Sequence, residues 1–177
     1  FDPSVELDNP YEEGERVLVF TGAMDYRPNI DAVTWFCDNV VSTIRENEPN
    51  FLFCIVGMKP TDEVRQLDNI PGVRVTGGVP DVRPYLSHAL AACLPLQLAR
   101  GIQNKALEAM AMSLPVLATD DALVGIIDHP GVLSHVANSA DEMSRLALAI
   151  LSRPRQANTA GRTCVQEHYN WDTNLKR

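Results

Sequence analysis

The chain has 177 residues, enough for one α/β domain and too few for two full ones, and with 45% hydrophobic residues it can bury a sizeable core. A formal net charge of −8, from 23 acidic against 15 basic side chains, argues against nucleic acid as a partner, because phosphate contacts need a basic footprint. No run approaches 18 apolar residues and no signal peptide opens the chain, so no transmembrane segment is expected and the protein reads as cytoplasmic, contact of a longer parent protein with the inner face of the cell membrane being left open.

Residues 1–16 carry Asp2, Glu6, Asp8, Glu12, Glu13 and Glu15 together with Pro3 and Pro10, and read as a linker or solvated lead-in to a domain over residues 17–177. A chain that starts in a linker is expected to follow an upstream domain. Residues 17–20 form an all-apolar run, as in a strand buried on both faces of a parallel sheet. A turn at Gly22 leads into a helix from about Pro28, whose apolar positions Ile30, Val33, Trp35, Phe36, Val40 and Ile44 recur at helical steps. Residues 51–56 predict a second buried strand ended by Gly57, 61–67 a short helix, and 73–76 a third strand before Gly77-Gly78. Residues 81–89 read as a helix, 91–96 as a strand, 104–112 as a helix and 115–119 as a strand. A weaker strand over 132–136 precedes helices over 140–151 and 154–169 and the tail Asn170-Trp171-Asp172. Strands alternating with helices imply an α/β, doubly wound, Rossmann-like parallel sheet. In such a sheet ligands bind outside the carboxyl ends of the strands, which singles out the loops after Phe20, Val56, Thr76, Leu96 and Thr119.

Cys37, Cys54, Cys93 and Cys164 are scattered in apolar or helical contexts and read as buried free thiols. Neither they nor His88, His129, His135 and His168 cluster at ligand spacing, and the histidines read as surface or helix-end residues. No bound metal is expected; Asp120-Asp121 reads as a turn.

The first loop, Thr21-Gly22-Ala23-Met24-Asp25-Tyr26-Arg27-Pro28-Asn29, has neither a three-glycine dinucleotide fingerprint nor a phosphate-binding G-K-[ST] ending. It retains one glycine for close backbone approach and Arg27 just before a helix, where a cation can face an anion held by free N–H groups. A plain turn with a solvent-facing arginine fits the same residues. The stretch Arg100-Gly101-Ile102-Gln103-Asn104-Lys105-Ala106-Leu107-Glu108 is less ordinary. Lys105 lies in a first helical turn, where its charge opposes the helix dipole, and Arg100 is close by. A diphosphate on the free N–H groups near Gln103 and Asn104 reverses the sign of that penalty. Glu108 shares a helix face with Asn104 and Lys105 and suits a ribose diol, although a simple Lys105–Glu108 pair is the plainer alternative. Thr76-Gly77-Gly78-Val79-Pro80-Asp81 offers backbone groups to a flat base, or is a tight turn before a helix capped by Asp81.

The stretches Gly22-Ala23-Met24-Asp25-Tyr26-Arg27-Pro28-Asn29, Val75-Thr76-Gly77-Gly78-Val79-Pro80-Asp81-Val82-Arg83-Pro84-Tyr85-Leu86 and Gly101-Ile102-Gln103-Asn104-Lys105-Ala106-Leu107-Glu108-Ala109-Met110-Ala111-Met112 together resemble the C-terminal, donor-binding domain of GT-B glycosyltransferases. More narrowly, they resemble the bacterial family-four-like sugar transferases of exopolysaccharide systems, and Tyr169-Asn170-Trp171-Asp172 is similar to the end of that domain. The resemblance runs from Arg16 onward. It implies one half of a GT-B architecture, with a nucleotide diphosphate sugar as donor substrate and no tightly bound cofactor. It further implies that Glu108 holds the ribose, that Gln103 and Asn104 donate to the diphosphate after Gly101, and that Gly22 and Arg27 form the first phosphate loop. Val79 then lies where main-chain groups meet the base. Such relatives generally retain anomeric configuration without a metal, so Arg27, Lys105 and Arg100 are the expected stabilisers of the leaving diphosphate. Arg100 stands where many relatives carry a second Glu, and Ser113 where they usually have Gly. The glycan or lipid-linked acceptor is expected to bind through a missing N-terminal domain, and this domain alone is expected to catalyse nothing. Two other readings stay open: a nucleotide-sugar epimerase on the same two-domain plan, and a non-catalytic flavodoxin-like domain.

Overall fold

The computed structural model describes residues 1–126 and 135–169. In chain order its elements are β1 (Arg16–Thr21), α1 (Arg27–Asn39), α2 (Val41–Asn47), β2 (Phe51–Val56), α3 (Asp62–Gln66), β3 (Val73–Gly77), α4 (Arg83–His88), β4 (Ala91–Leu94), α5 (Asn104–Ala111), β5 (Val116–Ala118), β6 (His135–Val136), α6 (Ala140–Leu151) and α7 (Thr159–His168). The six strands among the described residues form one sheet in the order β3-β2-β1-β4-β5-β6. Every pairing in it is parallel. Chain order reverses between β1 and β4, which makes the gap above their carboxyl ends the natural place for a ligand.

Burial follows the apolar runs. Leu18, Val19 and Phe20 of β1 and all of β2 are sealed, which requires cover on both sheet faces. The helices supply it in two groups: α1 packs on α2 and α2 on α6, while α5 packs on α7. Phe36 of α1 meets Phe53 of β2 with ring centroids 4.4 Å apart. All four cysteines are free and buried, as their apolar settings predict. Burial pushes the Cys37 and Cys54 thiols up to about 12, so neither is a nucleophile at neutral pH.

Several boundaries differ from expectation. The single helix expected through Ile44 is two, because Val40 leaves helical geometry (φ −125°, ψ −40°). Val40, Val41 and Ile44 are all buried, so the apolar pattern runs straight across the break and hides it. The last helix begins at Thr159 rather than near Pro154, because Asn158 caps it, its Oδ1 accepting from the N–H of Gly161 at 2.9 Å. Residue 81 lies outside α4: Asp81 accepts from the Arg83 N–H at 2.9 Å and pairs with its guanidinium at 2.7 Å, forming a local turn before the helix. Of the weak strand over 132–136, residues 135 and 136 are in β6; residues 132–134, His129 and the tail Asn170-Trp171-Asp172 lie outside the described residues.

The lead-in carries no helix or strand before Arg16, yet it is not merely solvated. Tyr11 is buried and its hydroxyl donates to the Tyr85 carbonyl at 2.8 Å. Glu15 grips Arg74 at 2.6 Å, and a His88 ring nitrogen lies 2.7 Å from the Leu7 carbonyl. These contacts tie residues 7–15 to β3 and α4.

Candidate functional site

The loops after β1, β2 and β3 are stitched together by backbone hydrogen bonds. Gly22 N–H donates to the Val56 carbonyl at 3.0 Å, Met24 to Met58 at 2.9 Å, and Gly57 to Gly77 at 3.1 Å. Gly57 is required at this seam: a Cβ there would lie 1.6 Å from the Gly22 carbonyl oxygen. The result is a rigid floor at the carboxyl edge of the sheet.

Above that floor opens a cleft of about 490 Å³, lined by Gly22, Ala23 and Asn29 from one side, Met58, Gly78, Val79 and Val82 from another, and Ile102 through Lys105 with Glu108 from α5 and its approach. The volume suits a nucleotide-sized ligand. The helix dipole of α5 points its positive end into the cleft, and Gln103, at the N-cap, supplies no side-chain cap to the first turn.

Lys105 reaches back from this first turn to the end of β1. Its ammonium donates to Asn29 Oδ1 and sits 4.7 Å from the centroid of the Phe20 ring. No ion pair joins it to Glu108 among the described residues, so the plainer intrahelical alternative is not what the structure contains. Burial pulls the Lys105 ammonium down to about 8, with Glu108 opposing the shift. Burial in turn raises the Glu108 carboxyl, with the Lys105 charge pulling the other way. A half-buried cation at the positive end of a helix, hydrogen-bonded to a neutral amide, is suited to receive an anion.

The structure therefore brings Gly22, Val79, Gln103, Asn104, Lys105 and Glu108 into one cleft, and it leaves Arg27, Arg100 and Gly101 off its lining. Arg27 corrects the expectation of a phosphate-loop cation: its exposed guanidinium turns one helical turn along α1 to Asp31 at 2.6 Å and towards Glu63 at 3.6 Å. These acids raise its pKa further. Arg100 is exposed, and the chain turns at Gly101 (φ +69°) so that Ile102 and Gln103, not Arg100, face the ligand space. Asn29, Met58, Val82 and Ile102 are lining residues that sequence reasoning missed. Asn29 left a signal: it is a polar residue on the otherwise apolar face of α1 formed by Ile30, Val33, Phe36 and Cys37. The Asp120-Asp121 pair opens a 3-10 turn, and no cluster of potential metal ligands occurs among the described residues. Among the same residues no helix is long and apolar enough to cross a membrane.

Comparison with known proteins places the chain in a family and bears on its fold. The model of a family described as glycosyl transferases group 1 matches residues 15–153. Among solved structures, a mutant of S. aureus TarM in complex with Fondaparinux, alpha-GlcNAc-glycerol and UDP superposes with a TM-score of 0.72 at 15% identity, covering 97% of this chain and 36% of that one. Sucrose-phosphate synthase from Thermosynechococcus elongatus gives a TM-score of 0.70 at 20% identity, over 92% of this chain and 43% of that one. The C-terminal domain of a glycosyl transferase group 1 family protein (LpcC) from Francisella tularensis gives 0.61 at 15% identity, over 88% of this chain and 87% of that domain. No curated protein sequence matches the chain. The chain thus spans less than half of the first two structures and most of the third, and all three share its fold.

Proposed function

Because the chain belongs to the glycosyl transferases group 1 family, its match covering residues 15–153, we propose that it is the donor-binding half of a GT-B enzyme that moves a sugar from a nucleotide diphosphate sugar to a glycan or lipid-linked acceptor. The observation that carries this reading is Lys105, a cation held in the first turn of α5 at the strand-order reversal, with no carboxylate in salt-bridge contact with it among the described residues. The diphosphate lies against the α5 N-terminus, taking the Gln103 and Asn104 N–H groups and the Lys105 ammonium. Glu108, one turn further along the same helix, accepts the two ribose hydroxyls, and Val79 with Gly78 borders the base. As bonds to the leaving oxygen break, the negative charge moving onto the diphosphate is met by Lys105 and the helix dipole, with no metal required for that stabilisation.

The similar TarM structure is described as a complex with UDP, which makes uridine diphosphate the first nucleotide to try. Met58, Leu98, Ile102 and Val124 expose apolar side chains from the loops around this edge, which suits closure by an acceptor-binding domain over the cleft. Transfer in a bacterial exopolysaccharide pathway, with retention at the sugar, is the finer form of the proposal.

Calorimetric titration of the chain with UDP, GDP and ADP tests it. At least one should bind, and Lys105→Ala should weaken it by about tenfold to a hundredfold, the usual worth of a hydrogen bond to a charged group. Glu108→Ala should bring a nucleoside diphosphate and its 2′-deoxy form to equal affinity, because the wild-type carboxylate rejects a ligand that leaves it unpaired. Equal affinity in wild type and both variants contradicts the assignment.

A further inference from the structure

Asn29 is 4% exposed and uses both ends of its amide. Its Nδ2 donates to the Ala23 carbonyl at 2.9 Å, across the loop after β1, and its Oδ1 accepts from the Lys105 ammonium. The opposite orientation would set an NH2 group against an ammonium and an oxygen against a carbonyl, so the surroundings fix the amide in one sense. It also fills the space in front of Gly22, where an added Cβ would come within 2.7 Å of Nδ2 and 3.4 Å of the Lys105 Nζ. One buried side chain thus joins the β1 loop, α1 and α5 at the wall of the cleft.

We propose that Asn29 is a positioning residue for the donor site, its neutral amide holding the Lys105 ammonium at the carboxyl end of β1 as an unneutralised cation ready for the diphosphate. The inference rests on the donor-site reading. An ammonium has three N–H groups, and Asn29 occupies one, leaving two for phosphate oxygens. A carboxylate in the same place would cancel the charge the ligand needs, and an apolar side chain would leave the ammonium without its anchor.

The other charged groups around the cleft do not take over this role. On α1 and α3, Arg27, Asp31 and Glu63 are engaged with one another. Between the β1 and β2 loops, Lys59 faces Asp25 at 3.5 Å. Before α4, Asp81 and Arg83 pair with each other, and on α5 itself Glu108 faces Lys105 without a direct bond. Lys105 therefore titrates against a neutral partner, and its lowered value of about 8 places that titration within reach of ordinary buffers.

The test follows UDP affinity between pH 7 and 9 in wild type, Asn29→Asp and Asn29→Leu, each also in a Lys105→Met background, beside the Lys105 ammonium titration read by NMR without ligand. Wild-type affinity should fall about tenfold across that range, as one proton must be taken up to bind. Asn29→Asp should bind about tenfold more weakly at pH 7 with a flat profile, since the carboxylate keeps Lys105 charged but occupied. Asn29→Leu should move the midpoint of the profile to lower pH, and should matter little once Lys105 is Met. Uniform weakening at every pH, persisting in the Lys105→Met background, would mean that Asn29 only supports the fold and overturns the inference. Should Asn29→Asp not fold, the Asn29→Leu profile decides alone. If no nucleoside diphosphate binds the wild type while the ammonium titration still follows residue 29, the donor-site reading has failed, and the inference falls with it for a separate reason.

Discussion

Lys105 sits where two local effects oppose its charge: partial burial and the positive end of α5. The Phe20 ring and the Asn29 amide compensate in part, yet the ammonium remains held below its ordinary range at about 8. The consequence for folding has a definite sign. Between about pH 8 and the lysine's usual range the unfolded chain binds a proton that the folded chain has released, so stability rises with pH through that window. The stability of wild type relative to Lys105→Met should therefore increase from pH 8 to 10 in chemical denaturation, and saturating UDP should flatten the difference by keeping Lys105 protonated. That Lys105 and Glu108 lie together at the carboxyl edge of the sheet was legible in the sequence, because a cation in a first helical turn breaks a local rule and the two share a helix face. Arg27 lies off the lining for a reason the sequence did contain, an aspartate four residues on at Asp31, which pairs with it along the helix. Arg100 was misplaced because the direction of a turn at Gly101 depends on backbone geometry that residue types alone do not state.

Elements obey their patterns at the centre and local hydrogen bonding at the ends. β2 and α6 match expectation to the residue because their apolar runs end at Gly57 and start at a Ser139 cap, whose side chain accepts from the Glu142 N–H at 3.3 Å. The break at Val40 had no such marker. α5 ends in a motif worth a direct test: Ser113 takes a left-handed conformation (φ +53°), its N–H donating to Met110 and that of Leu114 to Ala109, both at 2.9 Å. A left-handed L-residue costs about 1 kcal/mol that glycine avoids, so Ser113→Gly should raise unfolding free energy by about 1 kcal/mol in urea titration without changing ligand affinity. The seam between the β1 and β2 loops predicts the opposite kind of variant. Gly57→Ala must push the Gly22 carbonyl aside, and should lower UDP affinity at least tenfold by displacing the phosphate loop from Lys105.

At the scale of the whole molecule, the alternation of strands and helices announced a doubly wound sheet, but the order β3-β2-β1-β4-β5-β6 was not written in any single segment. It is a property of long-range pairing, and it is what places the start of α5 beside the end of β1, although more than 80 residues separate them in sequence (Thr21 to Asn104). The lead-in misled because its acidic composition reads as solvated, while Tyr11 and Glu15 find partners on α4 and β3 that only the fold brings near. Tyr11→Phe, which loses the bond to the Tyr85 carbonyl, should lower stability by about 1 kcal/mol and leave ligand binding untouched.

Backbone NMR of the chain during addition of UDP tests the donor-site account most directly. The account predicts that amide resonances of Gly22, Ala23, Asn104 and Lys105 move together and saturate with one affinity. Shifts confined to the opposite edge of the sheet, or no saturable shift with any nucleoside diphosphate, would contradict it.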